Sequence, residues 1–137
     1  MGKLRNIVLK DKLQKCQSRA ARVITGATYD IRSADVLETL SLENLNARRL
    51  YIKSVFMYKI LNNYTAPTLK ESFHKISEYQ KSYNLRNTNT DLALPQPKKE
   101  FLKKSFRHSG ALLWNNLTYE TKQAESLNSF KRLIAQT

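Results

Sequence analysis

The stretch LRNIVLKDKLQKCQSRAARVITG, residues 4–26, decides the fold of this chain. Its spacing predicts one long helix, Leu4 to Thr25, and Gly26 ends it because glycine readily adopts the left-handed conformation that closes helices. On a helical wheel the apolar residues fall in one arc, and we expect this apolar stripe to face a core. The apolar stripe consists of Leu9, Leu13, Cys16, Ala20, Val23 and Ile24. Since Cys16 lies within it, we interpret that residue as a buried packing cysteine.

A row of cations runs beside the apolar stripe on the same helix. This cationic row consists of Arg5, Lys12, Lys15, Arg19 and Arg22. It spans about 25 Å at 1.5 Å per residue, which is long enough to follow a nucleic-acid backbone. The alternative is a solvated helix face, because faces rich in Lys and Arg are common in soluble proteins.

The charge of the chain points to its partners. Among 137 residues there are 24 Lys and Arg against 11 Asp and Glu, which gives a net charge of +13. Such an excess attracts polyanions, so nucleic acid is the first partner class. An acidic membrane surface, a ribosome-like assembly or an acidic protein also fits the charge. No apolar run approaches the ~20 residues of a membrane span, so we expect no membrane partner. The single cysteine indicates no disulfide, and we expect an intracellular protein of nucleus or cytoplasm.

The rest of the chain predicts a mainly α fold, a helical bundle with a small late β element. Ser33 is expected to cap a short second helix, and Ser41 to cap a third helix over residues 42–62. Apolar residues surround the axis of the third helix, so we place the core there. Ser126 is expected to cap a last helix with apolar residues at i, i+3 and i+7.

The late β element is predicted where helical periodicity disappears. Two short runs, residues 83–86 and 92–94, flank a polar turn and predict an antiparallel hairpin. The loose alternation of residues 98–107 predicts a third strand. We therefore divide the chain into a helical region, residues 1–76, and a C-terminal subdomain, residues 77–137.

A second basic cluster occupies the predicted third strand. It consists of Lys98, Lys99, Lys103, Lys104 and Arg107, and Phe101 and Phe106 are interleaved with it. The cations are candidates for phosphate contact, and aromatic side chains among cations can stack on exposed bases. The alternative is that the two phenylalanines belong to the core, because phenylalanine in a strand-like pattern is more often a core residue.

The sequence lacks the residue groups that catalysis needs. Its aspartates, Asp11, Asp30, Asp35 and Asp91, are scattered and form no pair suited to metal-assisted phosphoryl transfer. Cys16, His74 and His108 lie far apart and do not make a zinc set. With three glycines there is no glycine-rich phosphate loop. We expect no enzymatic activity, no metal and no cofactor.

Several blocks of the chain, in order, carry a family resemblance. Residues 13–26, LQKCQSRAARVITG, resemble the segment that follows the polymerase domain in non-LTR (LINE-type, jockey-like) retrotransposon reverse transcriptases. The later blocks that resemble this family are MYKILN at 57–62, YNLR at 83–86, LWNNL at 113–117 and SLNSFK at 126–131. Thr118 departs from the pattern, because the family commonly has proline there.

The resemblance implies the thumb-side and C-terminal tail of such an enzyme. The chain contains neither the family's endonuclease domain nor its palm with paired aspartates, so the resemblance implies binding of RNA or primer–template duplex without synthesis. One alternative is a protein-interaction module whose apolar stripe docks on a polymerase domain, and another is a decayed element copy without selected function. Charge reversal at Arg19 and Arg22 is expected to abolish binding only under the first hypothesis.

Overall fold

The computed structural model describes residues 2–79, 89–96 and 98–136, with side chains from Ile7 onward. The fold is mainly helical, as predicted. In chain order the described helices are α1 (Gly2–Thr25), α2 (Ser33–Thr39), α3 (Leu45–Leu61), α4 (Pro67–Lys70), α5 (Ile76–Tyr79), a 3-10 helix (Glu100–Lys104), α6 (Phe106–Asn115), α7 (Tyr119–Lys122) and α8 (Leu127–Ala135). The chain separates into unit 1, Met1–Leu50, and unit 2, Tyr51–Thr137. The division at residue 76, which rests on composition, stays a prediction.

Unit 1 has a small core between α1 and α2. Gly26 ends α1 with a φ of 66°, so the predicted glycine cap is confirmed. Ala21 of α1 is almost fully buried against Val36 and Leu37 of α2. Close approach of the two helices at an alanine explains how so few apolar side chains suffice to exclude water.

The face of α1 that contacts the segment before α3 is polar. The Gln14 side-chain oxygen accepts a hydrogen bond from the Leu45 backbone N–H at 2.9 Å. The Gln17 side-chain amide donates to the Glu43 carbonyl at 3.0 Å, and Gln14 donates to Gln17 at 2.8 Å. Two glutamines therefore attach α1 to the segment that leads into α3.

The apolar stripe of α1 is exposed, so the prediction that it faces a core is wrong. Leu9 and Leu13 are 55% and 52% exposed, and Val23 is 83% exposed. Cys16 is also exposed, which corrects its interpretation as a buried cysteine. The reason is that a different arc of α1 faces inward, because Gln14 and Gln17 hydrogen-bond to the segment before α3 and Ala21 packs against α2.

The start of α3 differs from the prediction. Ser41 has a φ of 54° and lies before the helix, whereas the Asn44 side chain accepts hydrogen bonds from the N–H groups of Asn46 and Ala47. Asn44 therefore performs the capping that was assigned to Ser41. Likewise, Ser33 is the first residue of α2 rather than its cap.

Unit 2 contains the larger core. Its buried members are Met57, Tyr58, Ile60, Phe73, Leu92, Ala111, Trp114 and Phe130. The ring of Phe130 stacks on Tyr58 at 4.3 Å, and the Tyr58 hydroxyl donates to the Ala124 carbonyl at 2.8 Å. α3 thus supplies the centre of this core, but not from all sides, since Ile52 is 54% exposed. The predicted cap of α8 is confirmed, because the Ser126 side chain accepts from the Ser129 N–H.

A polar clamp attaches residues 89–96 to α6 and α7. The Asn115 side chain both accepts from the Leu92 N–H and donates to the Leu92 carbonyl, at 2.8 and 2.9 Å. The buried Lys122 ammonium ion-pairs with Asp91 at 2.7 Å and donates to the Asn115 carbonyl at 2.9 Å. The clamp satisfies backbone groups that a strand partner would otherwise satisfy.

No strand occurs within the described ranges, and the β element is represented by one antiparallel bridge between Lys75 and Leu92. Residues 83–86, the first run of the predicted hairpin, lie outside the described residues. The predicted third strand at residues 98–107 is wrong, because that segment forms the 3-10 helix and the start of α6. Ser105 caps α6 through a bond from the His108 N–H, which favours a helix at this point.

Candidate nucleic-acid interface

Three members of the cationic row, Lys12, Lys15 and Arg19, are exposed along α1. They span seven residues of helix, or about 10 Å at 1.5 Å per residue, which matches about three phosphates of one strand. Within the described part of the chain no carboxylate forms an ion pair with any of the three. Their ammonium and guanidinium groups are therefore available to an anionic partner.

Arg22, the last member of the row, is bound within unit 1. Its guanidinium donates to the carbonyls of Thr28 and Ile31 at 2.5 and 2.6 Å and to the Ser33 hydroxyl at 3.2 Å. These bonds hold the link between α1 and α2 against the end of α1. Arg22 therefore has a structural task that the wheel did not indicate.

Two of the three exposed cations border a groove of about 580 Å³ in unit 1. Lys15 and Arg19 line it together with Arg22, and Tyr29 closes one side. The Tyr29 ring is 89% exposed, and the Arg22 guanidinium carbon lies 5.6 Å from its centroid. No periodic pattern marks Tyr29, because it lies in the short link after Gly26. The available hint was a tyrosine four residues after the end of a helix whose last turns carry cations.

Two carboxyl groups lie at or beside this groove. The pKa of Asp30 lies below its ordinary value because the Thr28 side chain hydrogen-bonds to it, with a smaller contribution from the charge of Arg22. Asp11 also lines the groove. The groove is thus cationic along α1 with two carboxylates nearby. The side chain of Arg5, the first member of the cationic row, lies outside the described part of the structure.

The second basic cluster belongs to unit 2, and only some of its members bond to other protein groups. Lys98, Lys99 and Lys104 are exposed. Lys103 ion-pairs with Glu100 at 3.0 Å on the surface, and the Arg107 Nε donates to the Ser72 carbonyl at 3.0 Å. Three lysines therefore present their charge to solvent, whereas Arg107 attaches the start of α6 to the segment that follows α4.

The two phenylalanines of this cluster have different environments. Phe106 is half-buried, with its ring 5.5 Å from Phe56 and 6.0 Å from Phe73. Phe101 is 67% exposed. The core alternative thus holds for Phe106 and is wrong for Phe101, which lies in solvent among the lysines.

Further observations bear on other chemistries. Among the residues that the structure describes, no group of three His, Cys, Asp or Glu side chains is arranged to hold a metal ion. In the same ranges, none of the helices combines the length and apolarity needed to cross a membrane. Comparison with protein-family models, curated proteins and solved structures found no match.

Proposed function

We propose that this chain binds nucleic acid, RNA or an RNA/DNA primer–template duplex, through the cationic face of α1. The observation that carries the proposal is the alignment of Lys12, Lys15 and Arg19, exposed and without carboxylate partners, beside the groove that Tyr29 borders. A net charge of +13 makes association with a polyanion favourable over long range. The role is binding without catalysis, in an intracellular setting.

The family resemblance gives this proposal its context. A segment that follows the polymerase domain of a non-LTR retrotransposon reverse transcriptase would lie beside template and primer. We therefore propose that the chain is a non-catalytic C-terminal fragment of such a polymerase. Cations spaced at about one helical turn contact successive phosphates whatever the base sequence, which suits a protein that must hold each part of a template.

The test is the affinity for a labelled RNA/DNA duplex, measured by fluorescence anisotropy over a series of salt concentrations. For a duplex, each phosphate contact contributes about 0.9 to the slope of log affinity against log salt. Replacing Lys12, Lys15 and Arg19 together by glutamine should lower that slope by about 2 to 3. The secondary structure should not change, because all three side chains are exposed.

Lys10 supplies a matched control on the same helix. It is also exposed but lies on the opposite side of α1 from the cationic row, since five residues correspond to about 140° of rotation. Lys10→Gln should change the slope less than Lys15→Gln does. Equal slopes for the triple variant and the unmodified protein, or no binding at low salt, would contradict the proposal.

A second candidate function, a protein-interaction module that docks on a polymerase domain, is favoured by the exposed apolar stripe. Exposed apolar side chains along about four turns of one helix, such as Leu9, Leu13 and Val23, mark surfaces that normally contact another protein. Glutamine contacts hold a different arc of α1, about 100° of rotation from the stripe, so the stripe is left without a partner inside unit 1.

The two candidates make different predictions for two variants. Leu9→Gln with Leu13→Gln should abolish docking or self-association, which light scattering measures, and leave duplex binding intact. Lys15→Glu with Arg19→Glu should abolish duplex binding and leave self-association intact. This pair replaces charge reversal at Arg22, because Arg22 is needed by the fold of unit 1. A monodisperse monomer that shows no association at high concentration would count against the docking function.

A further inference from the structure

Phe101 is the most exposed phenylalanine among the described side chains, and its position is not explained by packing. Its exposed fraction is 67%, whereas Phe73, Phe106 and Phe130 all contact the core of unit 2. An exposed aromatic ring is unfavourable in water, so a ring held in solvent by a short helix is a candidate contact for a ligand.

The 3-10 helix Glu100–Lys104 sets which charges accompany this ring. Residues three apart lie on the same side of a 3-10 helix, so Lys104 shares a side with Phe101. Glu100 and Lys103 share the next side and neutralise each other through their 3.0 Å ion pair. Lys98 and Lys99 directly precede the helix and are exposed. The side that carries Phe101 is thus cationic and lacks an acidic residue.

The helix that presents Phe101 is attached at its C-terminal end. Phe106 packs between Phe56 and Phe73, and Arg107 donates to the Ser72 carbonyl. The Ser105 N–H also donates to the Leu102 carbonyl, which continues the turn into α6. The ring therefore extends from a supported element, which lowers the entropy lost when a ligand stacks on it.

We propose that Phe101 is a stacking platform for a base of single-stranded nucleic acid, with phosphates held by Lys98, Lys99 and Lys104. This inference rests on the proposed function and narrows its ligand. Bases of a single strand offer an open face to an aromatic ring, whereas bases inside a duplex are stacked on their neighbours and paired. The ring selects for unpaired nucleic acid, while the cations of α1 serve paired and unpaired backbones alike.

The experiment uses the full chain and two probes, oligouridine RNA of about 15 nucleotides and an RNA duplex of equal length. Phe101→Ala should weaken oligouridine binding about tenfold and leave duplex affinity unchanged. Its salt slope should equal that of the unmodified protein, because no charge is removed. Lys104→Gln should instead lower the slope for oligouridine by about 0.7.

Three further variants test whether stacking is responsible. Phe101→Trp should retain or increase affinity for oligouridine, whereas Phe101→Leu, which keeps apolar bulk without a π face, should resemble Phe101→Ala. Leu102→Ala is the matched control, since Leu102 is a neighbouring residue that is 40% exposed, and it should not change affinity. Far-UV circular dichroism of each variant should equal that of the unmodified chain.

The outcomes separate this inference from the function on which it rests. Unchanged oligouridine affinity in Phe101→Ala, or an equal loss for both probes, overturns the stacking role and leaves binding through α1 standing. Leucine performing as well as phenylalanine also overturns it. If the unmodified chain binds neither probe at low salt, the proposed function and the stacking role both fail.

Discussion

Arg22 offers the sharpest test of how the cationic row is divided between fold and function. Exchanging it for lysine keeps the positive charge but removes the planar fork that donates to Thr28, Ile31 and Ser33. A lysine ammonium lacks the rigid geometry to make all three contacts together. If Arg22 acts mainly within unit 1, Arg22→Lys should reduce stability while duplex binding is retained.

The magnitude follows from the bonds that are lost. The net contribution of a hydrogen bond to stability is about 1 kcal/mol, and this value applies to Arg22 because its side chain is only half-buried. Lysine retains about one of the three bonds, which leaves a loss of about 2 kcal/mol. A difference of that size corresponds to about a 30-fold change in an equilibrium constant.

Amide hydrogen exchange is the appropriate measurement, because it reports unit 1 without requiring the whole chain to unfold in one step. The amides of Val36 and Leu40, which are bonded to the carbonyls of Arg32 and Leu37, should exchange about 30-fold faster in Arg22→Lys. Arg19→Lys is the control: Arg19 is exposed, so neither exchange nor stability should change. Normal protection of α2 in Arg22→Lys, together with weakened RNA binding, would refute the structural role.

The remaining predictions concern unit 2. Phe130→Ala should lower the free energy of unfolding in urea by about 3 to 5 kcal/mol, because Phe130 is fully buried between Tyr58 and Trp114, whereas Leu112→Ala at a surface position should change it by less than about 1 kcal/mol. Ser126→Ala should lower it by about 1 kcal/mol through loss of the α8 cap, and a Ser126→Asp variant that is no less stable would support that assignment. Burial raises the pKa of Tyr58 above its ordinary value of 10.0, so the folded state holds the phenol proton more tightly than the unfolded state. Stability should therefore fall as the pH rises above 10.0, and Tyr58→Phe should make the fall shallower in urea titrations at a series of pH values.

Local chemistry predicted the ends of the elements well where one residue decides the outcome. Gly26 ends α1 because glycine adopts the left-handed conformation at little steric cost. Ser126 caps α8 because its hydroxyl accepts a hydrogen bond from the Ser129 N–H. Ser41 and Asn44 show the limit of this approach. Both residue types are good helix caps. Which of the two caps α3 depends on the path of residues 42–44, and the sequence does not specify that path.

The candidate site was predicted in residue type more than in arrangement. The loose alternation placed Phe101 and Phe106 in one strand, but Ser105 caps a helix that begins between them and separates a solvent residue from a core residue. Similarly, the wheel grouped Arg22 with Arg19 although 60° of rotation separates them. That rotation is enough for Arg22 to reach the carbonyls of the α1–α2 link while Arg19 stays in solvent.

The orientation of α1 was the least predictable feature, and it matters most for function. A wheel gives the arcs of a helix but not which arc faces inward, and the apolar arc is the usual choice. Here Gln14 and Gln17 bond to the backbone of the segment that leads into α3, and Ala21 packs against α2, so the arc that carries these three residues faces inward in a unit with a small core. The consequence is that three cations of the row, Lys12, Lys15 and Arg19, face solvent on an arc adjacent to the exposed apolar stripe. Binding of nucleic acid and docking on a protein are then compatible on one helix, since a partner that covers Leu9 and Leu13 leaves Lys15 and Arg19 at its edge. If docking of a protein on the apolar stripe raises the affinity of the chain for duplex, the two arcs of α1 act together in binding.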